Sequence, residues 1–588
     1  MTPRKTVTIQ GIVTGTFQQA GSLDGYYIQD AGDDDAATSD GMFVYARGGD
    51  ARAVGDTVRV QGKVSEYYGN TQVTQSSVEV CGTGAELPAP ATVGLPLDPA
   101  KTEALENMRV QLASGVINEA YDYDRYGELV LGSKRHEQPT NRYAPGSDEA
   151  KALAAENAAD SITLDDGLGI QNPNPLRGPN GEDYSAQNRF RIGDTVKDAT
   201  GVLNYSHDAW RIQPTAGATV ENTNPRTDAP KVPGSITVAS ANVLNYFTTL
   251  TTEDKNARGA NSPEEFARQK TKIVDELASI HADVFGLMEI ENNDGHALDD
   301  LVAGLNAKLG SEEYKAIETG TVGTDAITTA MIYKPAKVDL VGDHKILDSL
   351  VDPDFDTNRH RPAIAQVFKD KATGEDFTVA VNHLKSKGSD CGAGDPEDPN
   401  GQGNCNATRV KGAKALTKWL TSDPELSGSG RELIIGDLNS YAKEDPIAAI
   451  EEAGFTNMVE KFNGPSAYSY VFDGQTGYLD HALASEKLAG EIEGVSDWHN
   501  NSDEPDANDY NLDYGRDPAY FEDNAYRASD HDPVVIGFTP GGNGNPGNPG
   551  EPGDGDDSTG SLSGISSSIG GFFRGVVGSV SGLLGRNG

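Results

Sequence analysis

The stretch Arg527–Val535, RASDHDPVV, sets an Asp-His-Asp triplet directly against an apolar run. Charged residues seldom stand at the mouth of a buried strand without a partner, because removing them from water is costly. The run after Pro533 therefore reads as a core strand, with Asp530 and His531 held at its entrance. Asp532 reads as a turn residue before the proline.

The same arrangement recurs upstream. ITVASANVLNYF (236–247), DVFGLMEIE (283–291), ITTAMIYKP (327–335), FTVAVNHLKS (377–386) and RELIIGDLNS (431–440) are apolar runs of strand length. Polar residues stand at or near their ends: Asn242, Glu289, His383, Asp437 and Asn439, joined by Asp480 in GYLDHALA. Between them, SPEEFARQKTKIVDELASIHA (262–282) is an amphipathic helix with Ser262 as cap and Pro263 in its first turn. A second helix is expected near ATRVKGAKALTKWLTS (407–422). Alternating strands and helices over 234–539 predict a mixed α/β sheet layered with helices.

Taken singly, an Asp at a strand end is a turn former and a lone His a core residue. Together, Glu289, Asp437, Asn439 and Asp530 are hard oxygen donors that suit Mg²⁺, Mn²⁺ or Ca²⁺ rather than Zn²⁺. Two histidines beside carboxylates suit acid–base work near neutral pH. Metal plus His–Asp is what phosphate-ester hydrolysis requires. His281, His296, His344, His360, His481 and His499 fall outside these positions and read as structural.

The chain has 588 residues, too many for one core. With 48 Lys plus Arg and 90 Asp plus Glu, its net charge is −42. Such a chain repels polyanions at long range, so a phosphate site needs local cations or bound metal. Lys385, Lys387 and the basic run TRVKGAKALTK stand as candidate contacts or as a solvated helix face. Of the three cysteines, Cys391 and Cys405 bracket a Gly/Pro/Asp-rich loop and suit a local disulfide. Cys81 is left as a buried thiol or one whose partner lies elsewhere. A disulfide implies an oxidising compartment. The start MTPRKTVTIQ has no apolar signal core, so a mature secreted form is expected.

Ahead of the α/β region, residues 1–90 read as short alternating strands. VGDTVRVQGKV (54–64) recurs as IGDTVKDATGVL (192–203), which predicts a second, similar unit over 100–222 interrupted by a helical insert near SDEAKALAAENAADS. Both resemble OB-folds, which often bind single-stranded nucleic acid. The alternative is a plain β-barrel spacer. Tyr67, Tyr68, Tyr205 and Trp210 are candidate base-stacking or core residues. ENTNPRTDAPKVPGS (221–235) reads as a polar linker, residues 540–560 as a disordered Gly/Pro linker, and 561–588 as a weakly amphipathic tail suited to envelope association or to no fixed structure.

In order, NVLNYF, LMEIENN, GTDAITTAMIYKP, NRHRPAIAQVF, NHLKSKG, GDLNS, YLDHAL and SDHDPV resemble the motifs of the deoxyribonuclease I-like endonuclease/exonuclease/phosphatase superfamily. The wording, with an OB-like module ahead, is closest to its bacterial extracellular endonucleases. The resemblance implies a four-layered α/β sandwich preceded by all-β OB-like modules. It implies Glu289 as principal metal ligand with Asn242 and Asp530, and Asp437 and Asn439 binding phosphate and metal and orienting water. It implies His531, held by Asp480, as base or phosphate-polarising group, and His383 as second catalytic histidine. Arg361 would contact phosphate, with Asp325, Tyr333 and Lys385 lining the substrate pocket. The expected protein is a secreted endonuclease dependent on Mg²⁺ or Mn²⁺, with Ca²⁺ also suited, acting on extracellular DNA or RNA. Its rivals are a phosphatase or phospholipase of the same fold, and a nucleic-acid-binding surface protein with a vestigial site.

Overall fold

A computed structural model describes residues 5–33, 35–512 and 515–542. The expected tail at 561–588 and all but the first residues of the 540–560 linker lie outside them.

Strands Thr6–Phe17, Gly25–Gln29, Gly41–Tyr45, Thr57–Tyr67 and Asn70–Gly82 close into a barrel in the order first, second, third, fifth, fourth. Along Thr57–Tyr67 burial alternates, and Val58, Val60 and Val64 point into the interior with Val13, Tyr26 and Val73. Strands Arg109–Glu119, Leu129–Gly132, Ile162–Leu164, Thr195–Ser206 and Ala209–Pro214 repeat that ring order. In both rings the third and fifth strands pair in parallel. The two copies of the GDTV segment each lead into the fourth strand. Helix Asp148–Ala159, capped by Ser147, is inserted between the second and third strands of the second ring.

The α/β region holds two six-stranded sheets. One runs Lys315–Ala316, Ile327–Tyr333, Val284–Glu291, Ile236–Tyr246, Val534–Phe538, Ile492–Asp497. The other runs Val338–Leu347, Arg361–Asp370, Asp376–His383, Glu432–Asp437, Asp480–Ser485, Phe455–Asn457. They pack face to face through Val238, Val284 and Met331 of one and Val379, Val381 and Ile435 of the other. Gly286 permits the approach, since a Cβ there would lie 2.6 Å from Ile435 and Val381 side-chain carbons. On the outer face of the first sheet lie helices Pro263–Ile280 and His296–Leu309, through Ile273, Leu277 and Leu301. Helices Asn406–Ser422 and Asp445–Glu452 cover the other sheet through Leu416, Leu420 and Ile447.

Three expectations change. The 221–235 segment is not a free tether, because Arg226 makes a two-pronged pair with Glu504 and Thr227 accepts from Trp498 and Tyr526. Cys81 is exposed, so the buried-thiol alternative falls and that of a partner lying elsewhere is left. Asp532 is more than a turn residue: it is 1 % exposed, and its carboxylate accepts from the backbone of Asn501 and Ser502 and pairs with His499.

Candidate active site

Register brings the polar strand ends to one edge. In the second sheet Arg361 pairs with His383, His383 with Asp437, and Asp437 with Asp480. Four side chains far apart in sequence thus stand in a row across neighbouring strands. Parallel and antiparallel neighbours alternate so that the C-terminal ends of Asp376–His383 and Glu432–Asp437 meet the N-terminal ends of Arg361–Asp370 and Asp480–Ser485.

The first sheet contributes through a distortion. Pairing between Ile236–Tyr246 and Val284–Glu291 shifts register after Asn242, and Leu244, Asn245 and Glu289 all adopt left-handed backbone, with φ of 48°, 52° and 70°. Each such non-glycine residue costs about 1–3 kcal/mol and persists only where its surroundings enforce it. Here the bulge turns Asn245 so that its N–H donates to Glu289 Oε2 at 3.0 Å, while Asn242 Nδ2 donates to Oε1 at 3.2 Å.

His531 Nδ1 lies 2.7 Å from Asp480 Oδ2, and Ser469 Oγ donates to the same oxygen at 2.7 Å. Asp437 Oδ2 lies 3.4 Å from His383 Nε2 and 3.9 Å from His531 Nε2, so one carboxylate faces both imidazoles. The backbone N–H of Asn439, a residue with φ of 47°, donates to Asp437 Oδ1, and the Asn439 amide donates to Leu384 O. Gly436, at φ 125°, lets this strand end pass Asn382, whose carbonyl oxygen would lie 2.0 Å from a Cβ.

Burial pushes Asp437 up to about 7, reinforced by Asp480 and opposed by His531. Burial lowers His383 well below the usual histidine range, helped by Arg361 and His531. Burial also opposes charge on His531, but Asp480 and Asp530 outweigh it and raise its pKa well above the ordinary value. Burial and then Asp530 raise Glu289. At neutral pH the cluster therefore pairs a charged His531 with an uncharged His383.

Arg361 Nε lies 3.4 Å from Asp325, which also binds Arg258 at 2.9 Å. Asp325 opens onto a cleft of about 1080 Å³ also lined by Lys255, Arg258, Asn292 and Arg359. Asn242, Glu289, Arg361, His383, Asp437, Asn439, Asp480, Asp530 and His531 are thus brought together, with Asp325 at their margin.

Others are not. Tyr333 pairs with Val284, at the end of the strand remote from Glu289, and packs on Phe368. The Lys385 ammonium is held by Ser386 and Ser389 but stays within electrostatic reach of Arg361 and Asp325, whereas that of Lys387 is paired with Glu444. Arg409 of the basic run is fully buried and donates to the carbonyls of Gln402 and Asn404. These groups serve the loop that Cys391 and Cys405 close with a disulfide. His360 and His481 are buried structural residues that contact the carbonyls of Thr408 and Ser440.

Sequence reasoning missed Tyr470, whose ring stacks on His531 at 4.6 Å, and Ser469 beside it. Neither stands at the end of an apolar run, so no pattern marks them. Their sequence proximity to Asp480 is the only signal.

As to metal, among the described residues no group of three or more His, Cys, Asp or Glu side chains is placed to hold an ion unaided. Glu289 and Asp530 are nevertheless hard donors within electrostatic reach of each other, and Asp530 adds to burial in raising Glu289. A small hard ion that takes two carboxylates and completes its shell with water and phosphate oxygens fits this set.

Residues 239–531 match the model described as the Endonuclease/Exonuclease/phosphatase family, and residues 94–224 a model described as a domain of unknown function. No curated protein matches the chain. Similar solved structures include the human nocturnin catalytic domain with bound sulfate, 17 % identical over 52 % of this chain and 95 % of that one, at a TM-score of 0.33. A mannosyl-6-phosphatase of Bacteroides thetaiotaomicron is 17 % identical over 51 % and 98 %, at 0.33. D. rerio TDP2 complexed with a single-strand DNA product is 14 % identical over 51 % and 97 %, at 0.32.

Proposed function

We propose, from the endonuclease/exonuclease/phosphatase domain that residues 239–531 form, that this protein is a secreted, divalent-metal-dependent endonuclease hydrolysing phosphodiesters of DNA or RNA. The observation that carries the reading is Asp437 facing both histidines, with His531 fixed by Asp480. Glu289 and Asp530, with Asn242, would hold Mg²⁺ or Mn²⁺. Bound there, the ion would supply charge neutralisation to the phosphate and to the departing oxygen. Arg361, beside Asp325 at the cleft wall, orients a phosphate, and Lys255, Arg258 and Arg359 offset the carboxylates of Asp254, Glu291 and Asp325 that line the cleft. Asp437 takes the proton of the attacking water, because a carboxyl raised to about 7 is a stronger base than an ordinary one. His531, charged and braced by Asp480, donates its Nε2 proton in a hydrogen bond to a phosphate oxygen on which charge builds. Neutral His383 lies opposite and orients Asp437.

The expected four-layered sandwich is supported by helices on the outer face of each sheet, and the OB-like reading of both barrels by their shared ring order. Exposed Tyr67 and Tyr68, the latter stacked on His207, support a base-stacking surface. Tyr205 and Trp210 pack on one another and are only half-exposed. The disulfide supports secretion.

The test is nicking of supercoiled plasmid with Mg²⁺ or Mn²⁺, with and without chelator, beside His531→Ala. Chelator-sensitive nicking that disappears in the variant is expected. Intact plasmid with every divalent ion, alongside turnover of a phosphomonoester or phospholipid, would overturn the reading.

A further inference from the structure

The β-rich region ahead of the catalytic domain reaches the site through two separate sets of buried contacts. The first grips the segment carrying Ser469 and Tyr470. Strand His136–Glu137 pairs in parallel with Gln475–Gly477, making a three-stranded sheet with Tyr470–Phe472. Asn141, 1 % exposed, donates to Ala467 O at 3.2 Å and accepts from Tyr478 N at 3.3 Å. Glu119 accepts from Gly474 N at the hairpin turn. The gripped segment is the one whose Ser469 donates to Asp480 and whose Tyr470 covers the His531 ring.

The second set holds the loop behind His531. Asp503 and Glu504 are 0 % and 1 % exposed. Arg135 and Asn224 donate to Asp503 at 2.9 and 2.7 Å, and Arg191 Nε lies 2.8 Å from Glu504. From the same loop, Asn501 Nδ2 donates to the backbone carbonyl of His531 at 2.7 Å. Carboxylates this buried are tolerated because Arg135, Arg191 and Arg226 neutralise them. All three cations lie outside the catalytic domain.

We propose that this region is a positioning part of the catalytic centre, fixing through these two sets the backbone, the ring face and the acidic partner of His531. Resting on the functional reading above, the proposal assigns Asn141 and Glu119 as positioning residues. They touch no substrate and act through the hairpin.

Full-length Asn141→Ala and Glu119→Gln test it, with bis(p-nitrophenyl) phosphate and Mn²⁺. Expected is a fall in kcat of about tenfold with KM within about twofold, since small misplacements of a reacting group lower turnover rather than binding. Amide hydrogen exchange over residues 468–472 should quicken in both variants. In a Ser469→Ala background, either substitution should lower kcat by less than about twofold further, because coupled residues are not additive. Unchanged kcat and exchange, a rise in KM alone, or fully multiplicative losses would overturn the proposal. Should Asn141→Ala not fold, Glu119→Gln, at a half-buried position, decides by the same readouts. Should the wild type hydrolyse no phosphodiester, the functional reading fails, while hydrogen exchange still decides whether this region holds the hairpin.

Discussion

Asp437 and His531 share one electrostatic neighbour, and this fixes the sign of a pH experiment. Asp480 raises both groups. Asp437 must lose its proton to act as base, so activity should rise as pH passes upward through its pKa. His531 must keep its proton, so activity should fall as pH passes its own. Removing the Asp480 charge lowers both pKa values. Asp480→Asn should therefore move the whole bell-shaped kcat profile to lower pH and reduce its maximum by about 10²-fold. A profile that keeps its position while losing height would argue against the shared-neighbour account.

At the scale of the element, the strand Glu432–Asp437 ends in a conformation that only glycine tolerates well. Gly436 has φ 125°, and the Asn382 carbonyl occupies the place of a Cβ. Gly436→Ala should lower stability by more than about 2 kcal/mol, read as a drop in thermal midpoint, with loss of activity because Asp437 follows immediately. Such elements were legible in the sequence because each pairs an apolar run with a terminal polar residue. Asn242, Glu289, His383, Asp437, Asp480 and His531 could all be picked out on that basis. Tyr333, placed in the pocket by family resemblance and not by strand pattern, ends an antiparallel strand whose C-terminal end lies away from the site. Lys385 and Lys387 stood out as cations following His383, yet the sequence does not reveal that Glu444 already pairs with Lys387.

Across the whole molecule, the barrels and the catalytic domain looked separable in sequence because a Pro-rich polar stretch divides them. In three dimensions Arg191 and Arg226 meet Glu504 inside the protein, a pairing between residues some 300 positions apart that no local pattern could signal. Arg191→Met should lower the thermal midpoint of the intact chain, by a destabilisation of about 1.5–3 kcal/mol, because it removes one of the two guanidinium partners of the buried Glu504 carboxylate. A shift within experimental error would mean that Arg226 alone suffices.

The last strand among the described residues, Val534–Phe538, is inserted between Ile236–Tyr246 and Ile492–Asp497. Until it arrives, two strand edges face each other across a gap, and His531 has no frame to hold it. During synthesis this strand is among the last parts of the domain to leave the ribosome exit tunnel. The centre is therefore assembled only when translation of the domain is essentially finished, so a nascent or prematurely truncated chain would be inactive inside the cell that makes it.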